Sequence, residues 1–146
     1  MYSLERYLVT DFLSILQSIL NPFDIDNYTQ EFDYRNGRVD IVATNSNCDI
    51  YAFEAKLNKF RIAMNQAYRN TSFAHYSYVV LPEDKLNLAL KYKNEFIKRR
   101  IGLCSVSDCG LEIVIKAKKN KPLQPWLTKN ALILIKAKMD EQTTNS

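Results

Sequence analysis

Histidine is almost missing from this chain, with His75 the only one among 146 residues. The three cysteines, Cys48, Cys104 and Cys109, form no Cys-x-x-Cys pair. Both shortages argue against a structural zinc site, which needs four nitrogen or sulfur ligands at short spacings. No apolar run approaches the ~20 residues that a membrane-spanning helix requires. The N-terminal segment carries Glu5 and Asp11 and has no basic leader, which is not the pattern of a signal peptide. An odd cysteine count in such a chain is expected of the reducing cytoplasm. There is no internal repeat and no low-complexity linker. The chain therefore reads as a single domain over residues 1–139, long enough to bury a core, followed by a flexible polar tail at 140–146.

Charge is present but unevenly spread. Residues 1–73 hold seven Lys and Arg against nine Asp and Glu, a balance of −2. Residues 74–146 hold thirteen against seven, a balance of +6, and the whole chain carries +4. The basic half includes Lys98-Arg99-Arg100 and a run in which Lys118, Lys119 and Lys121 stand close together. An acidic pocket bordered by basic surface suits a polyanionic substrate, whose phosphates the cations would hold. The competing reading is that both basic clusters are solvated loop and helix-end residues.

Chemistry concentrates in Gly37-Arg38-Val39-Asp40 and, after a polar break, Tyr51-Ala52-Phe53-Glu54-Ala55-Lys56. Both runs read as strands, and ionisable groups inside strands are costly to bury unless paired or bound to a metal. Side chains two apart share a strand face, so Glu54 and Lys56 are expected to point the same way. Asn45-Ser46-Asn47-Cys48-Asp49 is rich in turn formers and suits a hairpin loop. A loop centred near Asn47 sets Asp40 opposite or nearly opposite Glu54, with Cβ atoms about 5 Å apart. Two carboxylates at that distance repel unless a cation or a proton lies between them. Hard oxygen ligands with open positions fit Mg²⁺ or Mn²⁺ better than zinc. The alternative is ordinary: Asp40 capping the strand, with Glu54 and Lys56 a solvated ion pair on the outer face of a hairpin.

Residues 3–20 contain no Gly or Pro and space Leu4, Leu8, Phe12, Ile15, Leu16 and Ile19 as one helical face. Glu5 breaks the pattern by projecting between the directions of Phe12 and Leu16. A carboxylate there needs a partner, which a metal site or Lys56 would supply, unless it stays wet on the helix dipole. Asn21-Pro22 is expected to end this helix. Residues 58–71 read as a second helix, with Phe60, Ala63, Met64, Ala67 and Tyr68 on one face. Lys59, Gln66, Arg69 and Asn70 lie on a side able to border the site. Strands are expected at 28–34, 77–81, 102–106 and 111–117, and helices at 83–100 and 126–138, joined by the basic loop 118–125. The fold class is α/β: one mixed β-sheet flanked by helices, with an αβββαβ core. Tyr68, Tyr76, Tyr78 and Trp126 read first as packing residues, with stacking on bases the alternative.

A leading helix with a Glu, a hairpin carrying Asp and then Glu-x-Lys, a helix with a Gln, and a strand ending in Pro resemble the PD-(D/E)XK nuclease superfamily, of restriction-endonuclease-like fold. The residues that carry the resemblance are Glu5, Asp40, Glu54, Ala55, Lys56 and Gln66, and it extends from the start of the chain to about Val106. Val39 stands where the family motif has Pro. The resemblance implies that Asp40, Glu54 and the Ala55 carbonyl hold Mg²⁺ or Mn²⁺. Lys56 would orient the attacking water or steady charge on the phosphate, Glu5 would act through water, and Gln66 would contact the phosphate or a metal-bound water. Lys59, Arg69, Lys118, Lys119 and Lys121 are then the expected nucleic-acid contacts. The activity implied is a magnesium-dependent endonuclease, a hydrolase cutting DNA phosphodiester bonds in repair, recombination, or the processing of mobile or invading elements. A homodimer or a larger DNA-processing complex would serve a double-strand cut. The alternative is a nuclease-fold module that binds nucleic acid or serves as an accessory subunit without catalysis of its own.

Overall fold

The structure, a computed structural model, describes residues 2, 4–19, 21–34 and 37–145, with side chains described up to residue 141. Six strands form one sheet in sequence order: β1 (Ile25–Tyr34), β2 (Gly37–Asn45), β3 (Ile50–Ala55), β4 (Tyr76–Pro82), β5 (Gly102–Ser107) and β6 (Gly110–Ile115). β1, β2 and β3 pair antiparallel, β3, β4 and β5 pair parallel, and β6 turns back against β5. Parallel neighbours need crossovers. α2 (Phe60–Asn70) makes the first, and a 3₁₀ turn at Glu83–Lys85 with α3 (Leu86–Leu90) and α4 (Lys93–Lys98) makes the second. α1 (Glu5–Leu16) precedes the sheet and α5 (Pro125–Asn145) closes the chain. Apart from the division of residues 83–100 into three short pieces, the element order is the one expected from sequence, and the fold is a single α/β domain with a mixed sheet flanked by helices. Among the described residues no helix is long and apolar enough to cross a membrane.

The turn between β2 and β3 sets the register that matters later. Asn45 Oδ1 accepts from the N–H groups of Asn47 and Asp49, both at 3.0 Å, closing a side-chain turn. The resulting pairs run from Thr44↔Ile50 to Ile41↔Phe53. Residues then alternate between two buried faces. On one, Leu8, Phe12 and Leu16 of α1, with Phe23, pack on Ile41, Tyr51, Phe53, Tyr78 and Val80. Phe12 meets Phe53 edge-on at 4.8 Å between ring centres. On the other face, α2, α3 and α4 cover Val79, Leu81 and Leu103, while Ala131 and Ile135 of α5 cover Val42, Ile50 and Ala52. Each large side chain buried this way contributes roughly 1.5–3 kcal/mol. Both faces of β3 are therefore fixed by packing, and so are the side chains at its end.

Several boundaries differ from expectation for identifiable reasons. α1 ends at Leu16, before Asn21-Pro22, because the Asn21 amide reaches back to the Leu16 carbonyl at 3.1 Å and caps the helix. Ile19, expected on the apolar face, is left fully exposed. The expected ends Ser3 and Leu20 lie outside the described residues. The stretch 83–100 is not one helix: it breaks at Tyr92, whose ring packs on Phe60 and lies under Arg61 of α2. Tertiary packing overrides helix propensity there. Helical backbone continues to Asn145, through residues read as a polar tail. Of the aromatic candidates, Tyr78 is buried and Tyr76 stacks on Tyr51, while Tyr68 and Trp126 are more than half exposed.

Candidate active site

The sheet opens where the acidic residues stand. The β2–β3 ladder stops at Ile41↔Phe53, one residue short of Asp40 and Glu54. β2 stays paired to β1 beyond this point, and β3 stays paired to β4 through Ala55↔Val80, with the Lys56 N–H donating to the Val80 carbonyl at 3.1 Å. Backbone N–H groups at such a fork need acceptors, and the two acids provide them. Ala55 N–H donates to Asp40 Oδ2 at 2.9 Å, and Asp40 N–H to Glu54 Oε1 at 3.5 Å. The carboxyls thus face each other across the fork, as the register expected from sequence requires.

Their surroundings penalise charge. Glu54 is only 1% exposed, and burial first, then the neighbouring Asp40 carboxylate, push its pKa up to about 8. Burial also raises the Asp40 pKa, against the pull of the Ala55 N–H and the Lys56 ammonium. Two carboxyls in hydrogen-bonding contact cannot both ionise cheaply, so near neutral pH the pair retains a proton.

Lys56 stands one residue past the end of β3, so strict alternation no longer fixes its direction. Its Nζ lies 3.9 Å from Glu5 Oε2, and Glu5 Oε1 accepts from the Leu57 N–H at 3.4 Å. Glu5 is exposed in the first turn of α1 rather than core-facing, yet it arrives at the expected lysine. Both line an open cleft of about 590 Å³ that also includes Lys59 and Asn58. Gln66 lies on α2 with its Oε1 buried and without a protein donor.

Two further residues complete the site: Asn70, expected from sequence only to lie on a side able to border it, and Tyr34, which sequence reasoning did not place there. Asn70, fully buried at the end of α2, donates from Nδ2 to Glu54 Oε2 at 2.6 Å. Tyr34, at the end of β1, donates its phenol proton to Asn70 Oδ1 at 2.9 Å and accepts from Arg69 Nε at 3.0 Å. Asn70 carried a signal: it continues the buried Ala63–Ala67 stripe, where an amide needs partners. Tyr34 carried none.

The basic candidates divide. Arg69 reaches the site through Tyr34, and its guanidinium lies over Gly37. A Cβ on Gly37 would come within 2.6 Å of Arg69 Nη2, and the backbone there has φ +152°. Gly37→Ala is expected to displace Arg69 and to lower stability by about 1–2 kcal/mol, read as a drop in melting temperature. Lys118, Lys119 and Lys121 are elsewhere. Lys119 Nζ pairs with Asp49 Oδ1 at 3.2 Å, and the Asn120 N–H donates to the His75 carbonyl at 2.7 Å, at the N-terminal ends of β3 and β4. Asp49 lies five positions before Glu54, roughly 16 Å along the strand. Although burial opposes it, the Asn45 amide and Lys119 hold the Asp49 carboxyl below its usual value. Local ion pairing thus claims Lys119, which sequence could not show.

No family model matches the chain, and no curated protein matches it in sequence. Among solved structures, a protein of unknown function from Silicibacter pomeroyi is similar with a TM-score of 0.64 and 15% identity, over 92% of this chain and 87% of that one. A repair endonuclease from Pyrococcus abyssi is similar with a TM-score of 0.42 and 18% identity, over 64% of this chain and 46% of that one. The first likeness is one of α/β fold, and the second is too partial to bear on chemistry.

Proposed function

We propose that this chain is a divalent-cation-dependent nuclease that hydrolyses phosphodiester bonds of DNA, cutting within the strand. The observation that carries this reading is the acid pair at the sheet fork, Asp40 against Glu54, with Lys56 at the end of the same strand. The donor set fits Mg²⁺ or Mn²⁺. A buried carboxyl and a half-buried one that share a proton have affinity to spare for a cation, and the carbonyl of Ala55, next in the chain after Glu54, would be the third ligand. Among the described residues no cluster of three or more His, Cys, Asp and Glu side chains is placed to hold a metal. Two carboxylates leave the remaining positions to water and substrate phosphate, which is the habit of Mg²⁺ in phosphoryl-transfer sites. The chemistry such an ion supplies is polarisation of the scissile phosphate and acidification of a water.

The chain's own residues do the rest. Lys56, tethered by Glu5, would orient the attacking water or donate to the phosphate oxygen where charge grows. Glu5 also fixes the Leu57 N–H and with it the direction of the chain leaving β3. Gln66 lies one helical turn before Asn70, and its unpartnered Oε1 is free to accept from a water at the site. Lys59, which lines the cleft, and Arg69, which is bonded to Tyr34, would hold neighbouring phosphates.

The test is incubation with plasmid, linear, single-stranded and branched DNA, and with an RNA, with and without Mn²⁺. Cation-dependent cleavage is expected, and Lys56→Ala should lose at least ~100-fold in rate while its melting temperature stays near that of the wild type. Wild-type rates in that variant would overturn the mechanism. DNA binding with no cleavage under any condition would leave an accessory nucleic-acid module instead.

A further inference from the structure

We infer that Asn70, held by Tyr34 and Arg69, is a positioning residue that fixes the rotation of the Glu54 carboxyl and so its grip on a divalent cation. The inference rests on the metal-dependent reading above and deepens it.

The polarity of the chain follows from its members. Arg69 Nε can only donate, so at 3.0 Å the Tyr34 phenol oxygen accepts from it. The phenol proton is then directed at Asn70, 2.9 Å away, and the atom that receives it must be the amide oxygen. That choice turns the Asn70 amide nitrogen toward Glu54 Oε2, at 2.6 Å. All three donors point one way, from the guanidinium toward the carboxyl.

Glu54 therefore has its two oxygens assigned. Oε2 is held against α2 by Asn70, and Oε1 is turned toward Asp40, whose N–H it meets at 3.5 Å. Without Asn70 the buried carboxyl would be free to rotate Oε1 away from the partner acid. Asn70 and Glu54 are both fully buried, so no solvent competes for these bonds. Because Asn70 touches Glu54 rather than substrate, it acts through the ligand. Partners of this kind typically alter metal affinity 10–100-fold.

The experiment titrates Mn²⁺ alone into the full chain, by calorimetry or by loss of the free-ion electron paramagnetic resonance signal. Asn70→Leu, which keeps the number of side-chain heavy atoms and removes both bonds, is compared with Tyr34→Phe, which removes one atom. Asn70→Leu should weaken Mn²⁺ binding roughly tenfold or more, and Tyr34→Phe a few-fold. In DNA cleavage the half-saturating Mn²⁺ concentration should rise by the same factors with KM for DNA unchanged. A purely structural role would lower the melting temperature and leave Mn²⁺ affinity alone, and that result in both variants overturns the inference. If Asn70→Leu fails to fold, Tyr34→Phe decides. Wild-type protein that binds Mn²⁺ but cuts nothing overturns the nuclease reading, while the Mn²⁺ comparison still judges Asn70. Wild-type protein that binds no Mn²⁺ overturns both.

Discussion

Glu54→Gln is expected to melt higher than the wild type at neutral pH and to cut no DNA. Stability and activity should move in opposite directions because the same buried charge governs both. In the folded chain the Glu54 carboxyl is pushed up to about 8, from an ordinary value of 4.5, by burial and by Asp40. Folding at pH 7 therefore requires proton uptake, which costs roughly 3 kcal/mol. Glutamine keeps the shape and removes that cost. Its carbonyl still accepts from Asn70 Nδ2, and its amide can donate to the Asp40 carboxyl, at the loss of the long 3.5 Å bond from the Asp40 N–H. For a domain of this size the gain corresponds to a rise of roughly 6–10 °C, measured by calorimetry or circular dichroism without divalent ions. Cleavage should fall below detection, since a neutral amide is a poor ligand for Mg²⁺ or Mn²⁺. A variant that melts lower than the wild type, or that still cuts, would remove Glu54 from the proposed role. Buried acids retained against stability are a mark of function.

The part of this site that short-range sequence logic could reach was reached through one turn. Asn45 to Asp49 fixes where β2 hands over to β3, and strand pairing does the rest, so the meeting of Asp40 and Glu54 follows from counting. The strand and helix order was legible for the same reason, as most elements declare themselves by period and punctuation. What was not legible depends on contacts distant in sequence. Tyr34 and Asn70 are 36 positions apart, and neither spacing nor residue type announces their bond. The break at Tyr92 reflects packing on α2 rather than any local breaker. From sequence alone Lys119 reads as substrate-facing, because clustered charge carries no address. In the fold it lies against Asp49 at the far end of β3.

Without divalent ions, stability attributable to Glu54 should fall as pH rises from about 5 to 8, and Mn²⁺ should restore it. The sign follows from the direction of the shift. The folded-state value, about 8, lies above the unfolded 4.5, so the folded chain binds the extra proton. Stability then declines with pH across the interval between the two values and levels off above it. His75 works against this in part, because burial lowers its pKa and its contribution grows as pH rises. The difference between wild type and Glu54→Gln cancels such background groups and isolates the carboxyl. That difference should be small near pH 5 and largest near pH 8. An ion bound between Asp40 and Glu54 displaces the shared proton, so Mn²⁺ affinity should tighten with pH, by up to ~10-fold per unit below 8. The increment in melting temperature on adding Mn²⁺ should therefore grow from pH 6 to 8 in the wild type and be absent in Glu54→Gln. Equal Mn²⁺ increments in the two proteins at every pH would place the ion somewhere other than the fork.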